Sequence, residues 1–360
     1  MPVQGLLASL SLNRNSPKQG SFVLVGGIRV DNLPSTSSLV SFAPDGSRAE
    51  FLSRRMKTEF VRSCRDLVSQ CHARFAIDVS ATERAMIGFG TADPAPETYA
   101  IYFDLMQALN AEDEAACRSH LERLAAPAIA TPNLTYRRWG ALTTDCAERF
   151  LRYVNIDPST QLAFADVPEP DFSDACATAD RTFEMFQRCA PEIAAEIRGL
   201  VNELIFVENA PDCVLRFDGA TSVFSWGALF LNAAEHNSVV EMVDGLAHES
   251  AHAHLFGLSM GDPFVNNSPD EVHPSPLRED PRPLDGTFHA TFVSARMHYA
   301  HSKLLAGHAL TVAQRDEAAV ARDLSVSAFR DGLAVIEAHA DMTPLGASVM
   351  AEAVAYMHAA

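Results

Sequence analysis

Apolar residues recur three and four positions apart through much of the chain, the spacing that lines one face of an α-helix. From about Ala49 to Phe75 the series Phe51, Met56, Phe60, Val61, Cys64, Leu67 and Val68 follows it. Two shorter helices are predicted behind Pro94 and Pro96, over about Glu97 to Leu109 and Glu112 to Leu124. The stretch Pro127 to Asn133 reads as a linker, and 141–155 as helix. Residues 156–175 read as loop, with Pro158, Pro168 and Pro170, and a long helix is predicted from about Ala177 to Val207 with a break at Pro191. Residues 1–48 are rich in Ser, Asn and Gly and read as a loosely packed leader with one strand at 22–25.

The texture changes after Asn209. Cys213 to Phe217 reads as a strand, Asp218-Gly219 as a turn, and Ser225 to Asn232 as a second strand. A helix is predicted over about Ser238 to Phe256, with Gly257 as its stop. Residues 261–283 hold six of the 20 prolines and read as one long loop of the kind that lines a site. Helices over about Leu284 to Leu305, Val312 to His339 and Pro344 to His358 close the chain. The expected fold is mainly α with a small β-sheet. It divides into a helical region, 1–208, suited to gripping a peptide, and a metal-binding region, 209–360.

Composition narrows the partners. With 28 basic against 46 acidic residues the formal charge is −18, which argues against a nucleic-acid partner, because phosphate binding needs clustered Lys and Arg. No stretch reaches about 18 consecutive apolar residues, so no membrane span is expected. The N-terminus lacks a basic segment followed by an apolar core and does not read as a signal peptide, which makes the cytoplasm the default. The seven cysteines include no CxxC pair and read as buried thiols in a reducing compartment.

The chemistry concentrates in His248-Glu249-Ser250-Ala251-His252. Imidazoles at i and i+4 share a helix face, roughly 6 Å apart at Cβ. That separation lets both rings reach one ion at about 2.1 Å. Glu249 points to a neighbouring face, where it can meet a water on the metal. A strand before such a helix is the usual order in zincin-like folds. Two histidines do not complete a site, and the third ligand is expected from the following helix. His289 is the first candidate. Asp285, one turn earlier, would serve instead or would orient the ring. Two chemistries fit: a zinc peptidase with Glu249 as general base, or ferrous iron with open positions. A metal-stabilised binding protein without catalysis is a third reading.

Arg278 and Arg282 precede His289 in Pro-rich chain, and Arg296 returns to nearly the same helix face two turns after it. Arg forks bind carboxylates bidentately, which a peptidase does not need beside its metal but an enzyme using 2-oxoglutarate does. The HExxH helix, the segment Ser275 to Ala290 and then Phe292-Val293-Ser294-Ala295-Arg296 together resemble the HEXXH-motif proteins of ribosomal peptide natural-product clusters, which are 2-oxoglutarate-dependent HExxH-type peptide β-hydroxylases. The resemblance covers about 210–300 well and the rest by general layout. It implies Fe(II) held by His248, His252 and His289, with 2-oxoglutarate held by Arg278, Arg282 or Arg296. It further implies a ribosomally made precursor peptide as substrate and a supporting role for Glu249.

Overall fold

The computed structural model describes residues 39–156, 161–211, 213, 217–260 and 262–360. Helices dominate, with small sheets between them. In chain order the helices are α1 (Gly46–Phe75), α2 (Ser80–Gly88), α3 (Pro96–Asn110), α4 (Glu114–Ala125), α5 (Thr144–Val154), α6 (Glu169–Cys189), α7 (Pro191–Leu200), α8 (Val239–Ser259), α9 (Leu284–Ala306), α10 (Val312–His339) and α11 (Pro344–Ala359). The strands are β1 (Thr135–Arg138), β2 (Phe164–Ala165), β3 (Glu203–Asn209), β4 (Gly219–Thr221), β5 (Ala228–Asn232), β6 (Val272–Ser275) and β7 (Arg278–Pro283). The expected leader strand at 22–25 lies outside the described residues, as do 214–216 of the strand expected at 213–217.

One sheet runs in the order β1-β3-β5-β4, and β2 joins the end of β3. β1, β3 and β5 are parallel, and β4 is antiparallel to β5. The sheet takes strands from both sides of residue 208, and the apolar core runs continuously from Phe42 to Ala353. β6 and β7 form a separate hairpin.

Three departures from the sequence expectation have physical causes. The predicted helix from 177 to 207 is instead α6, α7 and β3, with Pro191 opening α7. Leu204, Ile205, Phe206 and Val207 are all fully buried, because β3 lies between two strands with both faces covered. A continuous apolar run of this kind has no period to separate strand from helix. Gly257 does not stop α8, which runs on to Ser259 and ends at Met260 in the left-handed conformation (φ 38°). Gly257 instead lets Trp226 and Leu52 approach the helix, and a Cβ there would lie 3.1–3.2 Å from both. The expected loop at 261–283 contains the hairpin. Its register breaks between His273 and Ser275, at Pro274, which has no N–H for the ladder.

Capping sets the start of the helix that matters most. Ser238 and Glu241 form a reciprocal capping box: Ser238 Oγ accepts from Glu241 N–H and the Glu241 carboxylate accepts from Ser238 N–H. Val239, Val240, Met242, Val243 and Leu246 then bury the side of α8 away from solvent.

A separate buried ion cluster joins α3 to α5. Arg149 donates to Asp104 at 2.6 Å, to Glu97 at 3.0 Å and to Asp145 at 2.9 Å. Tyr153 donates to the other Asp104 oxygen at 2.8 Å. Removing the cation would leave the buried Asp104 with only the more exposed Arg152 as a charge partner. Arg149→Met is therefore expected to destabilise the fold by about 3–5 kcal/mol in urea denaturation. An unchanged midpoint would show that the cluster contributes nothing.

Candidate functional site

α8 and α9 cross the core side by side and antiparallel. Asp244 near the start of α8 accepts from His301 near the end of α9 at 2.8 Å, while His252 meets His289 near the start of α9. His254 stacks on Phe292 between them, with ring planes 8° apart. This packing brings together the three histidines expected from the sequence. His252 Nε2 lies 3.2 Å from His248 Nε2, and His252 Nδ1 lies 3.1 Å from His289 Nδ1.

Those separations suit a metal. Bonds of about 2.0–2.1 Å place neighbouring ligand nitrogens about 3.0–3.4 Å apart. Burial lowers the pKa of all three imidazoles, most strongly at His252, and the Asp285 carboxylate opposes the drop at His289. Neutral rings keep the lone pairs a metal needs. The orientation is a chain, however, with His252 using one ring nitrogen toward each neighbour. Among the described residues no three His, Cys, Asp or Glu side chains gather their donor atoms on one point. A half-turn of the His252 ring about Cβ–Cγ exchanges Cε1 with Nε2. Cε1 is the ring atom between the two nitrogens that face His248 and His289, so the rotation turns Nε2 toward the space between those neighbours.

His289 is held by an aromatic box. Phe256 packs on it at 5.3 Å between centroids, and Phe264 meets it edge-on at 5.7 Å while stacking on Phe288 at 4.8 Å. The Phe264 carbonyl accepts from Thr343 N–H, which ties this loop to α11.

Glu249 lies beside the same histidines, its Oε1 3.8 Å from His248 Nε2, and is only 4% exposed. It is roofed by β4: a Cβ on Gly219 would lie 2.7 Å from Glu249 Oε1, so a larger residue there would push the Glu249 side chain aside. Burial pushes the Glu249 carboxyl up to about 8; the Thr221 hydroxyl pulls against the rise and Asp218 adds to it.

The three arginines separate. Arg278 and Arg282 alternate with Asp280 along β7, so all three point to one face of the hairpin. Arg278 lies 2.8 Å and Arg282 3.4 Å from the Asp280 carboxylate. Burial works against it, but the two guanidinium groups hold that carboxyl below its usual range. β7 leads directly into α9, which places this face one to two helical turns of chain from His289. Arg296 is engaged elsewhere: it is 4% exposed, donates to Glu196 at 2.8 Å and lies over the rings of Phe42 and Phe292. Asp285 is half-buried in the first turn of α9.

The sequence reading overlooked Asp244 and Glu196. Asp244 stands one turn before His248 on the same face, a spacing that pointed to it. Glu196 had no sequence signal. No protein-family model matches the chain, and no curated protein is significantly similar to it. Among the described residues no helix is long and apolar enough to cross a membrane.

Because the aromatic box fixes the His289 ring, Phe264→Ala is expected to cost about 3–5 kcal/mol of stability by chemical denaturation. A variant as stable as wild type would show that the box can collapse without it.

Proposed function

We propose that the chain is an Fe(II)- and 2-oxoglutarate-dependent dioxygenase that β-hydroxylates a residue of a ribosomally synthesised precursor peptide, built on a zincin-like C-terminal region. The observation that carries this reading is the meeting of His248, His252 and His289 at 3.1–3.2 Å on two antiparallel helices, just after a strand that bears two arginines.

When bound, Fe(II) with 2-oxoglutarate supplies the oxidising power: dioxygen and 2-oxoglutarate become succinate and carbon dioxide as one oxygen atom enters a C–H bond. The protein's part is binding and orientation. His248, His252 and His289 would hold the metal. Arg278 and Arg282 both face Asp280 on the hairpin strand that leads into α9, and guanidinium forks at that place are suited to the distal carboxylate of 2-oxoglutarate. Arg296 is the weaker candidate, because Glu196 already holds it.

The peptide has an edge on which to lie. β5, the strand before α8, is paired on both sides, by β3 and by β4. The edge passes to β4, which roofs Glu249 and has no second partner among the described residues. A peptide added along β4 would pass over the histidines with its backbone hydrogen-bonded. Cys64, Cys71, Cys117, Cys146, Cys176 and Cys189 carry free thiols, which supports a reducing compartment such as the cytoplasm.

One distance favours a second reading. Glu249 Oε1, 3.8 Å from His248 Nε2, is placed where a zinc peptidase carries its general base. The two readings part in a single incubation of the protein with Fe(II), ascorbate, 2-oxoglutarate and its candidate precursor peptide, followed by mass spectrometry. The hydroxylase adds one oxygen atom and forms succinate in step, and Glu249→Gln retains part of that activity. Backbone cleavage with Zn(II) that needs no 2-oxoglutarate and is lost in Glu249→Gln would contradict it.

A further inference from the structure

We infer that Glu196 is a positioning residue for the histidine site, its buried carboxylate holding α9 by hydrogen bonds through Arg296 while it packs against α8 at His254. The inference rests on the metal reading of His248, His252 and His289.

Glu196 stands on α7 and is 2% exposed. It accepts from Arg296 of α9 at 2.8 and 3.5 Å, from Arg48 of α1 at 3.0 Å and from Asp45 N–H at 2.9 Å. His254 Nδ1 of α8 lies 3.8 Å from its Oε2. One carboxylate therefore touches the elements that bracket the site. Helical spacing explains the reach. His254 follows His252 by two residues, so α8 turns one face to the metal histidines and nearly the opposite face to Glu196. Arg296 follows His289 by seven, two turns along α9.

Packing alone does not require this arrangement. A buried ion pair is often replaceable by apolar side chains at no loss of stability, whereas its charge-assisted hydrogen bonds fix distance and direction. His254 Nδ1 and Arg296 Nε are buried without a hydrogen-bond partner among the described residues. What the cluster secures is geometry, and geometry is what three nitrogens converging on one ion need, since metal–ligand distances tolerate only about 0.2 Å. The Arg149–Asp104 cluster is as deeply buried but joins α3 to α5, so it provides an internal control.

The test is Co(II) titration of the full chain, followed by visible absorption, for wild type, Glu196→Gln and Arg149→Met. Wild type is expected to bind Co(II) with an imidazole-type spectrum. Glu196→Gln is expected to bind roughly ten-fold more weakly with a shifted spectrum. Arg149→Met, although less stable, should keep the wild-type affinity and spectrum. If Glu196→Gln does not fold, Arg296→Lys, which keeps the charge and loses the fork, should show the same weakening. A Glu196→Gln or Arg296→Lys variant with wild-type affinity and spectrum overturns the inference, as does equal weakening in Arg149→Met. Wild type that binds no Co(II) overturns instead the metal reading beneath it.

Discussion

The antiparallel packing of α8 on α9 is the constraint on which the rest of the molecule depends. Three contacts define it along its length: Asp244 with His301, His254 stacked on Phe292, and His252 against His289. Each polar partner is on or beside a helix face that also carries a candidate ligand. Sliding one helix by a single turn would move His289 by about 5.4 Å and take it out of reach of His252. The capping box at Ser238 fixes where α8 begins, and the hairpin of β6 and β7 fixes where α9 begins. The buried faces between them fix the crossing.

The sheet supplies the other wall. β5 delivers the chain to α8, and β4 folds back over Glu249 so closely that a Cβ at Gly219 would displace the Glu249 side chain. The carboxylate is thereby held next to His248 and away from bulk water, whichever metal the histidines take. A glutamate so enclosed is better suited to shaping the site than to exchanging protons freely with solvent. The enclosure suits either proposed chemistry, and the proposal of oxidation rests on the arginine-bearing strand that leads into α9.

Much of this was legible in the sequence, and what was not has identifiable causes. α8, α9, α10 and α11 declare themselves through apolar spacing, caps and prolines, and the motif names two of the three histidines outright. His289 could be picked from a surplus of histidines because it opens the helix after the motif. β3 could not be recognised, because burial on both faces erases the alternation that marks a strand. The β6–β7 hairpin was hidden by its prolines, which break the ladder at His273 to Ser275. Glu196 lies 100 residues before the Arg296 it holds, and no local pattern links the two. The roles of the arginines separated only once partners were visible, with Arg278 and Arg282 turned to Asp280 and Arg296 turned to Glu196.

The central claim is that these three histidines hold one metal ion. X-ray absorption on the protein loaded with a single equivalent of Fe(II) tests it most directly. The account predicts scattering from three imidazole rings at about 2.0–2.2 Å, falling to two in His289→Ala. A first shell with no imidazole, or one that His289→Ala leaves unchanged, would contradict it.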